Sequence, residues 1–261
     1  MTDTTYIHGT TAGEQSRLAA LNRLTNGPSV EFLRIEPGLQ VLEVGSGLGI
    51  LAADVAAAAE GVQVTGLERS PEQIAAATPH PRVTYVEGDA LQLPFPEASF
   101  DLVYCRFLLE HVADPARVVA EMRRVTRPGG RVAAMENDIS LVRIDPPCLA
   151  FQAIWTVFSQ YQWRLGGDAF IGRRLFRLFQ AAGLTQIELS FQPEVHWSGS
   201  PNFRPWLENL RGNLEGARAG LVEAGVCNAG QLTLAANDLR LLAEKADASA
   251  TFAWNRAMAV K

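Results

Sequence analysis

The sequence predicts an α/β fold built on a mostly parallel sheet with helices on both faces. From Leu39 to Glu136, short apolar segments alternate with helical patterns, which is typical of parallel β-α-β units. The apolar run 41–44 ends in three alternating glycines, and an alanine-rich helical pattern follows from about Leu48 to Glu60. This arrangement indicates a buried strand, a tight turn and a helix N-terminus, where outward-pointing N–H groups favour anions.

The spacing of the glycines argues against a nicotinamide dinucleotide site. The dinucleotide fingerprint is G-x-G-x-x-G, and its third glycine would fall on Ile50. The chain instead has Gly45, Gly47 and Gly49, with Glu43 two positions before the first of them. Glycines are needed in such a turn because its dihedrals are closed to other residues and because ligand atoms approach bare backbone.

Polar residues end the apolar segments that follow. Glu68 ends the second segment, Asp89 the third and Cys105 the fourth, and the run from Arg127 to Val132 leads into a fifth strand. Ligands on parallel sheets bind beyond the carboxyl ends of the strands. We therefore expect these side chains and the glycine turn to form one shared site.

The E-x-G-x-G-x-G pattern and the strand-end acids, in this order over roughly residues 35–136, resemble the class I S-adenosylmethionine-dependent methyltransferases. The resemblance implies a Rossmann-like, seven-stranded, mostly parallel sheet with an antiparallel last strand and a helical cap insertion. It implies S-adenosyl-L-methionine as cofactor and S-adenosyl-L-homocysteine as product. Glu68 is then expected to take the two ribose hydroxyls, for which a carboxylate's paired acceptors are suited, and Asp89 the adenine amino group.

The expected cofactor site also includes residues of the N-terminal segment. Tyr6 and Arg17 are predicted to face the methionine portion, with Arg17 meeting its carboxylate; the alternative is that Arg17 pairs with Glu14 on the surface and Tyr6 only packs. Glu43 either organises the glycine loop or accepts a hydrogen bond from the ligand's amino group. The full set is Tyr6, Arg17, Glu43, Gly45, Ser46, Gly47, Glu68, Arg69, Asp89, Ala90, Leu91, Cys105 and Arg106.

His111 is the candidate general base. It follows the fourth strand, near the expected centre of methyl transfer, and imidazole is the side chain most often used for proton transfer near neutral pH. Glu-His at this place also resembles a structural signature of small-molecule methyltransferases, in which the histidine packs or caps. Both roles stay open, because a base matters only where the acceptor must lose its proton early.

The predicted organisation is a parallel core interrupted by helical segments. The expected parts are an N-terminal helical lid (1–30), a cofactor-binding core (31–146), a helical cap segment (147–182), a core strand (183–200), a helical insertion forming a substrate cap (201–247) and the last core strand (248–261). Substrate choice usually resides in such insertions. Trp155, Phe158, His196 and Trp206 are expected to line a substrate pocket, with cap core as the alternative for each aromatic ring.

Composition and charge restrict the function classes. The net charge of −5, without a basic block, disfavours nucleic acid as a partner. No apolar run approaches the ~20 residues that span a bilayer, and the first five residues lack signal-peptide features. The 3 cysteines are widely spaced without a C-x-x-C pair, so we expect neither a disulfide framework nor a metal site. We expect a cytoplasmic protein, monomer or homodimer, without membrane partners.

The sequence thus predicts methyl transfer to an oxygen, nitrogen or carbon atom of a small, partly apolar metabolite. One alternative is an RNA or protein methyltransferase, which an electropositive groove at the methyl group would favour. Another is a non-methylating protein of the same fold, which uses its cap pocket to bind a ligand or to steer a cyclisation. The sequence identifies neither the acceptor atom nor the substrate.

Overall fold

The computed structural model describes residues 12–261, apart from the side chains of residues 12–16, 18, 20 and 23. The strands in this range are β1 (Gln40–Val44), β2 (Gln63–Glu68), β3 (Val83–Glu87), β4 (Phe100–Arg106), β5 (Thr126–Glu136), β6 (Arg143–Asp145), β7 (Thr185–Trp197) and β8 (Ser249–Val260). The α-helices are α1 (Ala12–Leu33), α2 (Ile50–Ala58), α3 (Pro71–Ala75), α4 (Pro115–Val125), α5 (Leu149–Arg164), α6 (Leu175–Ala181), α7 (Phe203–Glu223) and α8 (Ala229–Leu242). Three short 3₁₀ turns cover Leu109–His111, Ile139–Leu141 and Ile171–Arg174.

The strands form one mixed sheet in the order β3-β2-β1-β4-β5-β8-β6, with β7 also paired to β8. Strands β1 to β5 are mutually parallel, and β8 runs antiparallel to its neighbours. The predicted Rossmann-like α/β fold is therefore confirmed. The sheet of the described residues has eight strands rather than seven, because the short β6 pairs with the first residues of β8.

Local sequence explains where the core elements begin and end. In β1 the four residues after Gln40 are all buried, as expected for a strand with neighbours on both edges and helices on both faces. Helix α4 begins with Pro115, whose missing N–H costs nothing in the first turn, and the Asp114 side chain caps it by accepting the Arg117 N–H at 2.9 Å. A capping box of Asn228 and Gln231 begins α8.

A helical cap stands over one end of the sheet. Helices α5, α7 and α8 pack on one another, and their buried side chains form a hydrophobic cluster with β8, here called the cap cluster. Its fully buried members include Phe151 of α5, Leu214 and Leu221 of α7, and Leu239 of α8. The segments 147–182 and 201–247, predicted separately, thus contribute helices to one core. Helix α1 packs against both α2 and α7.

No helix in the described part of the chain combines the length and apolar character that crossing a bilayer requires.

The cap cluster predicts a measurable contrast within α8. Leu239 is 1% exposed and Leu234 is 61% exposed. Leu239→Ala is expected to lower the free energy of unfolding by about 2–5 kcal/mol, because it removes buried methyl groups and leaves a cavity. Leu234→Ala, the matched control on the same helix, is expected to change it by less than about 0.5 kcal/mol. Urea denaturation followed by circular dichroism measures both, and equal effects would contradict the packing described.

Candidate active site

A cavity of about 370 Å³ lies where the loops after β1, β2, β3 and β4 meet α1 and the cap. It brings together most of the residues that the sequence suggests for the cofactor and the substrate. Those that line it are Arg17, Glu43, Gly45, Ser46, Gly47, Glu68, Arg69, Asp89, Ala90, Leu91, Arg106, His111, Trp155, Phe158 and Trp206. Their individual roles stay predictions.

Two expected site residues lie elsewhere. Cys105 is fully buried on the side of β4 that packs in the sheet core, and its thiol is 3.7 Å from Glu136 Oε1. Successive side chains of a strand point to opposite faces, so Cys105 and Arg106 cannot share an environment. His196 lines a separate cavity of about 270 Å³, where its ring stacks on Trp206 at 5.0 Å between centroids. Tyr6 lies outside the described residues.

The glycine turn has a backbone that other residues rarely adopt. Gly45, Gly47 and Gly49 have φ values of 77°, 53° and 64°, all in the left-handed region. A Cβ atom on Gly45 would meet Leu108 Cδ1 at 2.9 Å, and one on Gly49 would collide with the Tyr85 ring. The turn therefore requires glycine for its dihedrals and for its close packing.

The end of β2 holds this turn in place. The N–H groups of Gly45 and Ser46 donate to the Leu67 carbonyl oxygen at 2.8 and 2.9 Å. Glu68 Oε2 accepts the Gly47 N–H at 3.0 Å, while Glu68 Oε1 accepts the N–H groups that follow it, from Arg69 and Ser70. A carboxylate has about four acceptor positions. Three are thus used by backbone donors, and Glu68 still lines the cavity.

Asp89 is arranged in a similar way after β3. Its Oδ1 accepts the Leu91 N–H at 2.9 Å, and the side chain stays exposed at the edge of the cavity. This hydrogen bond fixes the carboxylate direction and keeps the second oxygen for another donor. In the loop before β4, Phe95 packs edge-on against Phe100, with 5.1 Å between the ring centroids.

Glu43 is a buried carboxyl group at the floor of the cavity. It is 4% exposed, and within the described residues its Oε2 atom has no hydrogen-bond partner. Burial raises the pKa of Glu43 to about 8, although the nearby Arg106 guanidinium acts in the opposite direction. An unpaired buried oxygen is costly unless something supplies a donor. Glu43 is therefore suited to accept a hydrogen bond from a ligand.

Arg106 joins the end of β4 to α1. Its Nη1 atom donates to Thr25 Oγ1 at 3.0 Å and to Ser29 Oγ at 3.2 Å, and its Nη2 atom donates to Asn22 Oδ1 at 2.6 Å. These bonds hold α1 over the cavity. On the same helix, Arg17 Nη1 donates to Asn209 Oδ1 of α7 at 2.7 Å. Whether Arg17 also pairs with Glu14, the alternative raised by the sequence, lies outside the description, because the Glu14 side chain is not among those described.

His111 ends the 3₁₀ turn after β4, and its Nε2 atom is 3.8 Å from Glu110 Oε1. Glu110 is buried, and its carboxylate accepts the Asn137 amide at 2.7 Å and the Gln162 amide at 3.4 Å. These amides fix the carboxylate beside the imidazole. At 3.8 Å the two groups are too far apart for a hydrogen bond, and they form an ion pair only when the imidazole is protonated.

Glu136 anchors the same loop from below, a role that the sequence reasoning missed. Its Oε1 atom accepts the N–H groups of Leu108 and Leu109 at 3.1 and 2.9 Å. Burial, and then the charge of Glu110, raise its pKa to about 8. Glu136 is the last residue of β5, and Glu43 is the second-last residue of β1, so an acid near the end of a buried apolar run was a signal present in the sequence for both.

The cap side of the cavity has aromatic walls. Trp155 stacks on Phe158 at 5.4 Å between centroids, and its Nε1 atom donates to the Ile139 carbonyl at 3.0 Å, which satisfies the polar N–H of this half-buried indole. Phe252 and Trp254 of β8 complete the wall. The described residues contain no cluster of three or more histidine, cysteine, aspartate or glutamate side chains able to hold a metal ion.

The raised pKa of Glu43 predicts pH-dependent stability. The pKa is 4.5 in the unfolded chain and about 8 in the folded protein, so the folded state holds an extra proton between these values. The stabilisation is complete below pH 4.5 and is lost as the pH rises through about 8. Glu43→Gln, which resembles the neutral carboxyl, is expected to reduce the fall in unfolding free energy over this interval, as measured by urea denaturation at a series of pH values. Glu87→Gln, an exposed control, should keep the wild-type slope; an unchanged slope for Glu43→Gln would refute the assignment.

Comparisons with known proteins agree with this geometry. Residues 42–134 match the family model described as a methyltransferase domain. A methyltransferase of Synechocystis sp., itself uncharacterised, is 35% identical over 182 residues, which cover 66% of this chain and 81% of that protein. A demethylmenaquinone methyltransferase of Beutenbergia cavernae is 34% identical over 141 residues, covering 54% of this chain and 55% of that protein. The chain spans about half the length of the first curated relatives that it matches.

A solved structure supports the fold. A methyltransferase from Bacillus halodurans aligns with a TM-score of 0.60 at 19% identity, covering 91% of this chain and 99% of that one. At this identity the likeness concerns the fold alone. The extended match to the Synechocystis protein carries the family assignment. The glycine turn, Glu68 and Asp89 lie within residues 42–134, which the methyltransferase family model covers. The chain belongs to the class I S-adenosylmethionine-dependent methyltransferases.

Proposed function

We propose that this protein transfers a methyl group from S-adenosyl-L-methionine to an oxygen, nitrogen or carbon atom of a small, partly apolar metabolite. The observation that carries the proposal is that one cavity has two chemically different halves. The glycine turn, Glu68 and Asp89 line one half, and aromatic rings such as Trp155 and Trp206 line the other. Two molecules of matching polarity fit side by side in such a space.

The residues of the first half fit the cofactor. Glu43, with a buried oxygen that lacks a donor, suits the amino group, and Arg17 suits the carboxylate. Glu68 keeps one of about four acceptor positions for a ribose hydroxyl, and Asp89 keeps an oxygen for the adenine amino group. Gly47 exposes backbone without a side chain, so a ligand can approach closely. When bound, the cofactor supplies an electrophilic methyl group on a positively charged sulfur.

The protein's contribution to the reaction is mainly positional. The aromatic wall and α1 exclude water and hold the acceptor atom against the first half of the cavity. Holding two reactants in near-attack geometry is worth up to about 7–11 kcal/mol. Because positive charge on sulfur disappears as the methyl is transferred, an apolar surrounding does not oppose the reaction.

His111 is proposed to take the proton from an acceptor hydroxyl or amine. It lines the cavity and is adjacent to the fixed Glu110 carboxylate, which would stabilise the imidazolium. An acceptor carbon that is already nucleophilic would not need this step.

A small metabolite is favoured over RNA or a protein by the charge of the site. Its lining contains three arginines, Arg17, Arg69 and Arg106, but also the carboxylates of Glu68, Asp89, Glu110 and Glu194, and the chain carries a net charge of −5. A lining of mixed charge attracts a phosphate backbone less than a basic groove does. The Beutenbergia cavernae relative, named for a demethylmenaquinone substrate, also supports a small acceptor.

The cofactor assignment predicts a binding defect in Glu68→Ala. Loss of the carboxylate leaves a ribose hydroxyl unpaired and frees the N–H groups of Gly47, Arg69 and Ser70, so affinity should fall by about 1–3 kcal/mol. Titration calorimetry with S-adenosyl-L-homocysteine measures the change. Glu87→Ala provides the control, since Glu87 is the direct neighbour of Glu68 on β3 but is outside the cavity. Unchanged affinity in Glu68→Ala would count against the assignment, and absence of binding to the wild type would refute the proposed function.

The base assignment predicts a kinetic defect in His111→Ala. With an acceptor found by screening hydroxyl, amine and activated-carbon compounds for transfer of labelled methyl, kcat should fall by about 10²–10⁴-fold. The dissociation constant for S-adenosyl-L-homocysteine should stay near the wild-type value. His80→Ala, outside the cavity, is the control. A wild-type kcat in His111→Ala would exclude the histidine as the base.

A further inference from the structure

A single carboxylate stands in the aromatic wall of the cavity. In the antiparallel pairing of β7 with β8, Glu194 is opposite Phe252 and two residues from His196, so these side chains share the face of the sheet that looks into the cap. Glu194 Oε1 accepts the Trp254 Nε1–H at 2.5 Å, and Glu194 Oε2 accepts the Trp206 Nε1–H at 3.0 Å. Donors from β8 and α7 therefore hold the carboxylate in a fixed position.

Few cationic groups lie close to Glu194. Arg106 and Arg256 line the adjacent cavity of about 270 Å³ with it, but among the described residues neither guanidinium is within 4 Å of its carboxylate. The Glu194 side chain is 11% exposed, and among the described residues its ion-pair partner within 4 Å is His196, with Nε2 at 3.4 Å from Glu194 Oε2. The other charged residues of the cavity of about 370 Å³ belong to α1 and to the segments at the ends of β1 to β4. In the described part of the chain, the lining contributed by α5, α7, β7 and β8 contains no charged residue besides Glu194.

A buried carboxylate whose hydrogen-bond donors are neutral is stabilised further when a cation lies beside it. Indole N–H groups satisfy lone pairs but carry no formal charge, and a poorly compensated buried charge is costly. Nearby aromatic rings provide a second favourable interaction with a cation. The faces of Trp and Phe attract ammonium groups, most strongly where water is excluded, and Trp206, Trp254 and Phe252 all line the same wall.

We propose that Glu194, with the indoles of Trp206 and Trp254, anchors a protonated amine of the acceptor substrate. The inference rests on the proposed function for the identity of the cavity as a substrate site, and it narrows the substrate to an apolar molecule that carries an ammonium group. The carboxylate supplies the counter-charge and a hydrogen-bond acceptor, while the rings enclose the carbon skeleton. A carboxylate that only ties α7 to β8 would confer no preference for charge.

The experiment compares three probes with one skeleton: 2-naphthylmethylamine, 2-naphthylmethanol and 2-naphthoate. Titration calorimetry at neutral pH, with and without S-adenosyl-L-homocysteine, measures each affinity. The wild type is expected to bind the amine about tenfold more tightly than the alcohol, and the carboxylate most weakly. Glu194→Gln is expected to bind the amine and the alcohol with similar affinity.

The controls separate charge from folding. Glu223→Gln makes the same change of charge at an exposed position of α7 and should keep the wild-type preference. Circular dichroism and the thermal midpoint report whether each variant folds. If Glu194→Gln does not fold, the double variant Glu194→Gln/Trp254→Phe is tested in its place. It removes the indole N–H of Trp254, which would otherwise face the NH₂ group of the new amide.

Two results would overturn the proposal: equal binding of the amine and the alcohol to the wild type, or an amine preference that survives in the folded Glu194→Gln or double variant. Both results come from affinities that are measured in the absence of the cofactor. A wild type that fails to bind S-adenosyl-L-homocysteine would therefore refute the proposed function while the amine preference is judged separately.

Discussion

The left-handed backbone of Gly45, Gly47 and Gly49 is the constraint on which the rest of the site depends. It turns the chain sharply enough for the N–H groups after β1 to reach the Leu67 carbonyl and the Glu68 carboxylate. The glycine positions are closely packed by Leu108 and Tyr85, so the turn also sets where the loop after β4 and the side of β3 can lie. The conformation of this one turn thereby fixes the relative positions of β1, β2, β3 and β4 at the edge of the sheet where the cavity lies.

Buried acids at the ends of two strands serve different purposes around this turn. Glu136 uses one oxygen to accept backbone N–H groups of the loop that carries His111. Its other oxygen, like one oxygen of Glu43, has no partner among the described residues, but of the two only Glu43 lines the cavity. Burial raises the pKa of both groups to about 8. Equal burial thus accompanies one structural role and one position suited to a ligand.

The sequence predicts the fold, and it predicts that the glycine turn, Glu68 and Asp89 line one cavity, because these signals are local. Three glycines and the acids that follow apolar runs specify turns and strand ends, and a parallel topology then brings those ends together. Which residues line the cap side of the cavity depends on which face of β7 and β8 is turned toward it. That orientation is set by pairing between strands far apart in the sequence, which local patterns do not reveal. β7 continues to Trp197, beyond its apolar start, and its pairing with β8 directs Glu194 into the cavity wall.

The same reasoning explains the two residues that lie outside the cavity. Cys105 ends an apolar strand as expected, but alternation turns its thiol into the core beside Glu136. His196 is two residues beyond Glu194 and lies past the rim, behind Trp206. The strand β6 was missed because three residues, Arg-Ile-Asp, carry too little periodicity to reveal a pairing that β8 imposes.

The pairing of β8 makes the two aromatic walls mechanically unequal. β7 pairs with β8 along its whole length, including Phe252 and Trp254, whereas β5 pairs only from Asn255 onward and β6 only up to Thr251, so the rings that β8 carries are fixed by a backbone ladder on the β7 side. Trp206 instead stands on α7, which is positioned by side-chain packing in the cap cluster. Residue exchanges on α7 can therefore reshape the acceptor space while the sheet stays unaltered. Engineering of the proposed acceptor range would therefore begin with the α7 wall around Trp206, while the β8 wall of Phe252 and Trp254 is kept.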